Sequence, residues 1–288
     1  MTGHPQPSVR HQQLIITLFG LYSRDPGRAV PVSVLIEMLG SLGYDAPGVR
    51  SSVSRLKAKG VLRSVKSNNV AQYTLEEGLA DVFREGDDRI FSPVGANLGD
   101  GWILAIFSVP ESLRSRRHTL RTELLNFGFG FISSGVWIAP VSVLDRVRSR
   151  LVALKLDQFV DFFSGDYVAD GSMREKVAQW WDLTHLDEQF GEFLEFYGDA
   201  VNHWTALVGS DPGLALEEST PELRLEAFKY YIPMLTLWRR FPYKDPNLRS
   251  ELLPEGWKGA AARETFLAVH KLIAPLADAH AKTLLTLA

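Results

Sequence analysis

The chain has 288 residues, of which 45% are hydrophobic and 23% charged, a balance typical of a folded protein of roughly two or three domains. It contains no cysteine, which excludes disulfide frameworks, thiolate zinc sites and cysteine nucleophiles. The formal net charge of -3 is unevenly distributed, because the first 75 residues contain nine Lys and Arg against three acids. The rest of the chain is acidic. The N-terminal excess of positive charge therefore creates a local positive potential that would attract the phosphate backbone of a nucleic acid.

The N-terminal residues give no sign of export. The first ten, MTGHPQPSVR, are polar and lack the apolar core of a secretion signal. No apolar run approaches the ~18 residues that a transmembrane helix needs. We therefore expect a soluble, cytoplasmic protein without a membrane partner.

Three helices are predicted at the start of the chain. Apolar residues recur at helical spacing from Gln12 to Tyr22, and again after Pro31, which suits a first helical position. The third helix, VRSSVSRLKAKG, has one narrow apolar stripe of Val49, Val53 and Leu56 and ends at a glycine.

The rest of the third helix is short or basic and contains no acid. A helix that enters the major groove needs a thin exposed surface, on which Arg pairs with guanine and Ser contacts bases or phosphates. The alternative is a basic surface helix that binds nothing. The candidate DNA contacts on this helix are Arg50, Ser51, Ser52, Ser54, Arg55, Lys57 and Lys59.

A basic β-hairpin is predicted directly after the third helix. VLRSVKS and VAQYTL alternate apolar and polar residues around an Asn-Asn pair, which tolerates the left-handed backbone of a tight turn. Its tip adds Lys66, Asn68 and Asn69 to the candidate DNA contacts. Three helices followed by a basic hairpin form the layout of a winged helix-turn-helix, which we predict for residues 11–80.

The middle of the chain has a different pattern. We predict a linker over 81–101, where an acidic stretch is followed by Pro, Gly and Asn. The segment 102–168 then gives the order β-α-β-β-α-β of a ferredoxin-like domain, for dimerisation or regulation. From about Met173 the periodicity is helical, which predicts an all-α domain over 173–288. The predicted fold class is thus a multidomain α+β protein.

Two features of these later segments leave alternatives open. The helix from Glu111 to Phe127 is basic on one face and is interpreted as a solvated surface, as an anion clamp or second DNA contact, or as a subunit interface. Its basic residues are Arg114, Arg116, Arg117, His118 and Arg121. Aromatic residues of the C-terminal segment are expected in the core, with a pocket for a planar ligand as the alternative. They include Trp180, Phe190, Phe193, Phe196, Tyr197 and Trp204.

Signatures of catalysis are missing from the sequence. There is no GxSxG elbow, phosphate loop or HExxH pair. The middle domain looks like the fold of small CRISPR-associated nucleases, but its first strand ends IFSVP, without their metal-binding aspartate. We expect no catalytic residue, no metal site and no cofactor. A nucleic-acid-processing enzyme and an RNA-binding module, with strand aromatics such as Trp102 and Trp137 on the sheet surface, remain the alternatives.

Five segments in order resemble the PaaX-type repressors of bacterial phenylacetic acid degradation, over about Gln13 to Ile273. They are ITLFGLY, VRSSVSRLKAKG, IFSVPESLRSRR, NFGFGFISSGVWIAP and WRRFPYKDPNLRSELLPEGWKG. The resemblance implies a winged-helix head, a ferredoxin-like middle domain and a helical C-terminal domain that senses the effector. It also implies a homodimer that binds double-stranded operator DNA and is released by an aryl-CoA effector such as phenylacetyl-CoA. Arg114, Arg116 and Arg117 are the candidate effector-binding residues, because an Arg fork matches phosphate geometry.

Overall fold

The computed structural model describes residues 9–24, 28–67, 70–91, 101–168 and 171–286. It shows an α+β protein with two small antiparallel sheets and a C-terminal region that is helical in its described part. Internal contacts divide the chain into two compact units. The first comprises Met1–Phe91, Phe193–Arg239 and Ala261–Ala288, and the second Ser92–Glu192 and Arg240–Ala260. No helix in the described ranges has the length and apolar character to cross a membrane.

The N-terminal part of the first unit contains the predicted helices and hairpin together with one short strand that the sequence did not predict. Its elements are α1 (His11–Tyr22), β1 (Val30–Pro31), α2 (Val32–Ser41), α3 (Ala46–Ala58), β2 (Leu62–Ser67), β3 (Val70–Leu75) and α4 (Leu79–Phe91). The sheet order is β1-β3-β2. Pro31, predicted as a first helical residue, instead lies in β1 and pairs with Gln72, an edge position where its missing N–H is tolerated.

Helix α4 corrects the linker that the sequence predicted over 81–101. The helix contains four acids against two arginines, but its apolar residues pack on the rest of the unit. The ring of Phe83 lies against Gly20 of α1, where an added Cβ would be 2.6 Å from Phe83 Cε1. The indole of Trp238 donates a 3.0 Å hydrogen bond to the carbonyl of Ile90. This packing stabilises a helix that acidic composition alone did not indicate. Most of the remaining linker lies outside the described residues.

The second unit contains the predicted β-α-β-β-α-β order, which is confirmed. The elements are β4 (Trp102–Phe107), α5 (Arg114–Asn126), β5 (Gly130–Ser133), β6 (Val136–Pro140), α6 (Leu144–Ala153) and β7 (Val160–Gly165), followed by α7 (Met173–Trp180). The strands form an antiparallel sheet in the order β5-β6-β4-β7, so the first strand of the segment lies between the third and the fourth.

Alternating residues of this sheet face two different cores. Ile103, Ala105 and Phe107 of β4 pack with the buried faces of α5 and α6. On the other face, Ile138 of β6 packs with Trp181, whose indole donates a 2.9 Å hydrogen bond to the carbonyl of Gly128. The second face is covered only in part, since Ile106 near the end of β4 is 40% exposed. Burial on one face and partial cover on the other account for most of the continuous apolar run of β4 in the sequence.

The C-terminal helices contribute to both compact units. They are α8 (Leu183–Tyr197), α9 (Ala200–Val208), α10 (Pro212–Glu217), α11 (Pro221–Trp238) and α12 (Gly259–Thr286). Four of the six C-terminal aromatic residues predicted as core are buried, namely Phe190, Phe193, Tyr197 and Trp204, whereas Trp180 and Phe196 are partly exposed.

Helix α11 packs directly on α1 within the first unit. The hydroxyl of Thr236 donates a 2.9 Å hydrogen bond to that of Thr17, and both side chains are buried. The guanidinium of Arg239 donates to the carbonyl of Gln13 at 3.2 Å. The predicted domain boundaries follow chain order, whereas this unit groups parts of the segments 11–80 and 173–288.

Candidate nucleic-acid interface

Helix α3 is anchored by its apolar stripe and has a defined end. Val49, Val53 and Leu56 are each no more than 2% exposed. After the last turn the amide of Val61 donates to the carbonyl of Leu56 at 3.0 Å, across a Gly60 with φ of 67°. This is a Schellman ending, which needs a residue that adopts positive φ without strain. The buried stripe and the helix end at Gly60 together determine which side of α3 faces outward.

The start of α3 is held against α1. A Cβ on Gly48 would lie 2.6 Å from Asp45 Oδ1 and 3.1 Å from His11 Cε1, so a side chain there would require the neighbours to move. The rings of His11 and Tyr44 meet edge to face at 4.7 Å. The Tyr44 hydroxyl donates to the carbonyl of Val9 at 2.7 Å, and burial raises the pKa of this phenol. These contacts position the first turn of α3.

The outward face of α3 carries most of the predicted DNA contacts. The exposed ones are Arg50, Ser51, Ser54, Arg55, Lys57 and Lys59. Ser52 is a correction, because it is only 4% exposed. It lies three residues after Val49 and four before Leu56, which turns it toward the core side of the helix. Ser52 therefore does not belong to the candidate interface.

The cations of α3 are not neutralised by nearby acids. One Arg55 nitrogen donates to Ser51 Oγ at 2.8 Å, and Lys59 Nζ lies 3.5 Å from Gln12 Oε1 on α1. Within the described ranges, no carboxylate forms an ion pair with a basic residue of α3. The positive charge of this face is therefore available to an anionic partner.

The hairpin follows α3 as predicted, with β2 and β3 paired from Leu62↔Leu75 to Ser67↔Val70. The predicted contacts at its tip, the Lys66 side chain, Asn68 and Asn69, lie outside the described residues. Sequence reasoning missed Arg63, an exposed cation on β2 that is 3.8 Å from Glu77 Oε1. The signal that could have found it is a positive charge at the second residue of the strand that follows α3. An exposed ion pair of this kind holds its partner weakly, so Arg63 adds to the basic surface.

Three family models together match nearly the whole chain. The model described as PaaX-like protein matches residues 10–79, the PaaX protein central Cas2-like domain matches 95–177, and the PaaX-like protein C-terminal domain matches 181–283. The chain belongs to the PaaX family.

Two relatives of this PaaX-family chain are identified by similarity. The Transcriptional repressor PaaX of Escherichia coli (strain K12) is 25% identical over 270 residues, which cover 92% of this chain and 80% of the relative. The solved structure of the uncharacterized protein Rv0674 from Mycobacterium tuberculosis is 22% identical, with a TM-score of 0.49, and covers 92% of this chain and 97% of that one. The family resemblance predicted from the five sequence segments is confirmed.

The three arginines predicted to bind an effector in this PaaX-family chain differ in their contacts. Arg116 donates to the carbonyl of Lys155 at 2.9 Å. Arg117 pairs with Glu111 at 2.8 Å and also donates to a backbone carbonyl just before α5. Arg114 is exposed, and within the described residues its guanidinium forms no ion pair. Arg114 is therefore the most available of the three for an external anion.

The end of β4 carries no carboxylate, as the sequence indicated. Ser108 follows the strand, and its amide donates to the carbonyl of Phe159 at 3.1 Å. Across the described residues, no three His, Asp or Glu side chains form a group that could hold a metal ion.

Proposed function

We propose that this chain is a transcriptional repressor that binds operator DNA through α3 and acts in the cytoplasm. The observation that carries the proposal is the outward face of α3, where Arg50, Arg55 and Lys57 are exposed without an intervening acid on a helix held firmly by its buried stripe. The name of the Escherichia coli relative, Transcriptional repressor PaaX, supports the same function.

The proposed architecture is a winged helix-turn-helix followed by a ferredoxin-like domain and a helical C-terminal domain. Helix α3 followed directly by the β2–β3 hairpin supports the first assignment, with the hairpin as the wing. The β-α-β-β-α-β order with sheet order β5-β6-β4-β7 supports the second. In this scheme α3 enters the major groove, and the wing contacts the adjacent minor groove or backbone.

Individual roles follow from side-chain chemistry. Arg50 and Arg55 would read guanine edges, since a guanidinium matches the O6 and N7 acceptors of that base. Ser51 and Ser54 would contact bases or the nearby backbone, and Lys57 and Lys59 would contact phosphates as point charges. Lys66 and Asn69 at the wing complete the proposed set.

A homodimer and a small-molecule effector are the further parts of the proposal. A dimer would place two copies of α3 in successive major grooves, on half-sites about 10 bp or a multiple apart. An aryl-CoA such as phenylacetyl-CoA would favour a geometry that no longer matches this spacing and so release the repressor. Arg114, Arg116 and Arg117 would bind the CoA phosphates. If a triple Ala variant bound the effector with unchanged affinity, this assignment would be wrong.

The test is fluorescence anisotropy on the DNA upstream of the protein's own gene, over a salt series, with and without phenylacetyl-CoA. We expect tight, salt-dependent binding that exceeds binding to random duplex and weakens with the thioester. If binding is tight but the thioester does not change it, the repressor function stands and phenylacetyl-CoA is not the effector. Equal affinity for operator and random duplex would contradict the proposal.

A further inference from the structure

A second basic region lies in the second unit, away from α3 in the sequence. Residues 111–157 contain eight Lys and Arg and four acids. Outside this segment and the first 75 residues, the chain has 14 basic residues against 27 acids. A net charge of about +4 within so acidic a background gives this segment a local positive potential that the proposed role of α3 does not explain.

The segment folds so that its two helices share one surface. Arg116 of α5 contacts the carbonyl of Lys155 just after α6, and Glu123 of α5 pairs with Arg150 of α6 at 3.0 Å. Near the other end, the guanidinium of Arg146 lies 5.9 Å from the centre of the Phe127 ring. From Arg116 to Phe127 the residue number rises along α5, whereas the partner's number falls from Lys155 to Arg146 along α6. The two helices are therefore antiparallel neighbours. Their outward faces therefore form one continuous surface opposite the sheet.

The charges on this surface are mostly positive and uncompensated. Arg117 and Arg150 are neutralised by Glu111 and Glu123 and are excluded from the count. Arg116 is half-buried and donates to a backbone carbonyl, so it is also left out. The exposed Lys and Arg that remain, together with the exposed imidazole of His118, are named the α5–α6 basic surface: Arg114, His118, Arg121, Arg146, Arg148 and Lys155. The exposed acids beside them are Asp145 and Asp157, one at each end of α6.

The side chains of this surface are held so that their charges face solvent. The Arg121 guanidinium lies 5.8 Å from the centre of the Trp137 ring, and that of Arg146 lies over Phe127 as described above. A guanidinium over an aromatic face keeps its in-plane N–H donors free for an anion. Arg114 and Arg148 are exposed and, within the described ranges, form no ion pair with a carboxylate.

We propose that the α5–α6 basic surface is a second, sequence-independent contact for the phosphate backbone of DNA. The proposal rests on the DNA binding proposed for α3 and extends it to the second unit. At Arg114 it is an alternative to the CoA-phosphate role given above, and the experiment below separates the two roles. The cations are spread along two helices instead of converging on one point, which suits a line of phosphates better than one compact anion. A helix of 13 residues such as α5 is about 20 Å long, a length over which a duplex presents roughly a dozen phosphates.

The decisive experiment removes two uncompensated charges of the full-length protein, as Arg114→Gln/Arg148→Gln. Each lost phosphate contact should reduce the slope of log affinity against log salt by about 0.9, so we expect a total reduction of roughly two. The fold-loss of affinity should be the same on operator and on random duplex, because a phosphate contact carries no sequence information. Anisotropy titrations on both duplexes give these values.

Two control variants separate charge from other effects. Arg114→Lys/Arg148→Lys keeps both charges and should retain most of the wild-type slope. Lys271→Gln removes one exposed charge of α12, outside both basic surfaces, and should leave the slope unchanged. Because all three positions are exposed, the thermal unfolding midpoints should match that of the wild type.

The outcomes distinguish this proposal from the function proposed for α3. If the wild type binds its operator tightly and the double Gln variant has the same salt slope, the second contact is refuted and the role of α3 stands. If the variant instead loses only affinity for free CoA, or only its dimer mass by sedimentation, the surface is an anion clamp or a subunit interface and the proposal is equally refuted. If the wild type does not prefer its operator, the function proposed for α3 fails first.

Discussion

The hydroxyl of Tyr22 in α1 donates a 2.9 Å hydrogen bond to Asp278 Oδ1 in α12. The two residues are 256 positions apart, and each lies in a different one of the matched family segments. Burial raises the pKa of the Asp278 carboxyl, although the Tyr22 bond and the nearby Lys282 ammonium partly oppose the shift. This bond therefore links the segment that carries α3 to the last helix, through a carboxyl that is costly to ionise.

Asp278 should make the first unit less stable as pH rises. Because its pKa is raised on folding, the native state holds its proton above the unfolded value of about 3.9, so this stabilisation is lost as pH rises through the folded pKa. Asp278→Asn, whose side-chain carbonyl still accepts from Tyr22, should remove that loss. The measurement is the urea unfolding midpoint between pH 4 and 7.

Two further variants test this explanation. Tyr22→Phe removes the bond that opposes the shift, and should lower the free energy of unfolding at neutral pH by roughly 1–3 kcal/mol. Asp88→Asn, at an exposed position on α4, should leave the wild-type pH profile unchanged. A profile of Asp278→Asn that is superimposable on the wild type would show that Asp278 titrates normally in the folded protein.

His270 should have the opposite pH dependence. Burial lowers the pKa of its imidazole, whose Nδ1 lies 2.7 Å from the Tyr231 hydroxyl and whose ring stacks on Phe266. A lowered folded pKa means that this stabilisation is present above the unfolded value of about 6.5 and is lost as pH falls through the folded pKa.

The variant His270→Phe keeps an aromatic ring but cannot take up a proton. The steepest part of the acid-dependent loss of stability below pH 6.5 should disappear, while the unpaired Tyr231 hydroxyl costs about 1–3 kcal/mol at every pH. Chemical unfolding from pH 5 to 7.5 measures both effects, with the exposed His118→Gln as the control. An undiminished acid dependence in His270→Phe would assign the effect to other groups.

Substitutions on the outward face of α3 should affect DNA binding in two different ways. Arg50→Ala and Arg55→Ala should each weaken operator binding by roughly 1–3 kcal/mol and relax specificity at one base pair. Lys57→Ala should weaken operator and random duplex alike and reduce the salt slope by about one. Ser52→Ala is the matched control, because a buried hydroxyl cannot reach DNA. If operator anisotropy shows neither Arg variant to bind more weakly, α3 is not the recognition helix.

Gly130 of β5 should not tolerate even a methyl group. An added Cβ would lie 2.7 Å from Cε2 of Trp181, whose indole is held in place by the hydrogen bond to Gly128. We expect Gly130→Ala to lower the free energy of unfolding by roughly 1–3 kcal/mol, the range for overpacking a core. Gly165→Ala in β7 is the control, since nothing lies within 4 Å of its Cβ position. Equal thermal midpoints for the two variants would contradict the close contact.

The candidate interface could be predicted from the sequence because it depends on local periodicity. The spacing of Val49, Val53 and Leu56 already defines which side of α3 is buried. The sequence also shows directly that the other side contains no acidic residue. Ser52 was misplaced because a three-residue stripe suggests a narrower buried face than the helix has. A residue at i+3 of one core position and i−4 of another belongs to that face.

Other features were missed because their cause is remote in sequence. The bond between Thr17 and Thr236 spans 219 positions and leaves no local pattern. Helix α4 forms in an acidic stretch because Phe83 meets α1 and Ile90 accepts from Trp238. Strand β1 is two residues long and exists only by pairing with β3. Tertiary contacts decided each of these elements, and local propensity did not.

Helix α1 buries residues against both α3 and α11, and this has a consequence for engineering. A graft of residues 10–79 onto another protein would uncover Thr17 and Tyr22, which are buried or hydrogen-bonded by α11 and α12 here. Such a chimera would expose apolar surface and lose the contacts that support α1. The transferable module is discontinuous, and it includes α11 and α12 together with the N-terminal helices. New operator specificities are therefore best introduced by exchanging the outward residues of α3 in the intact chain.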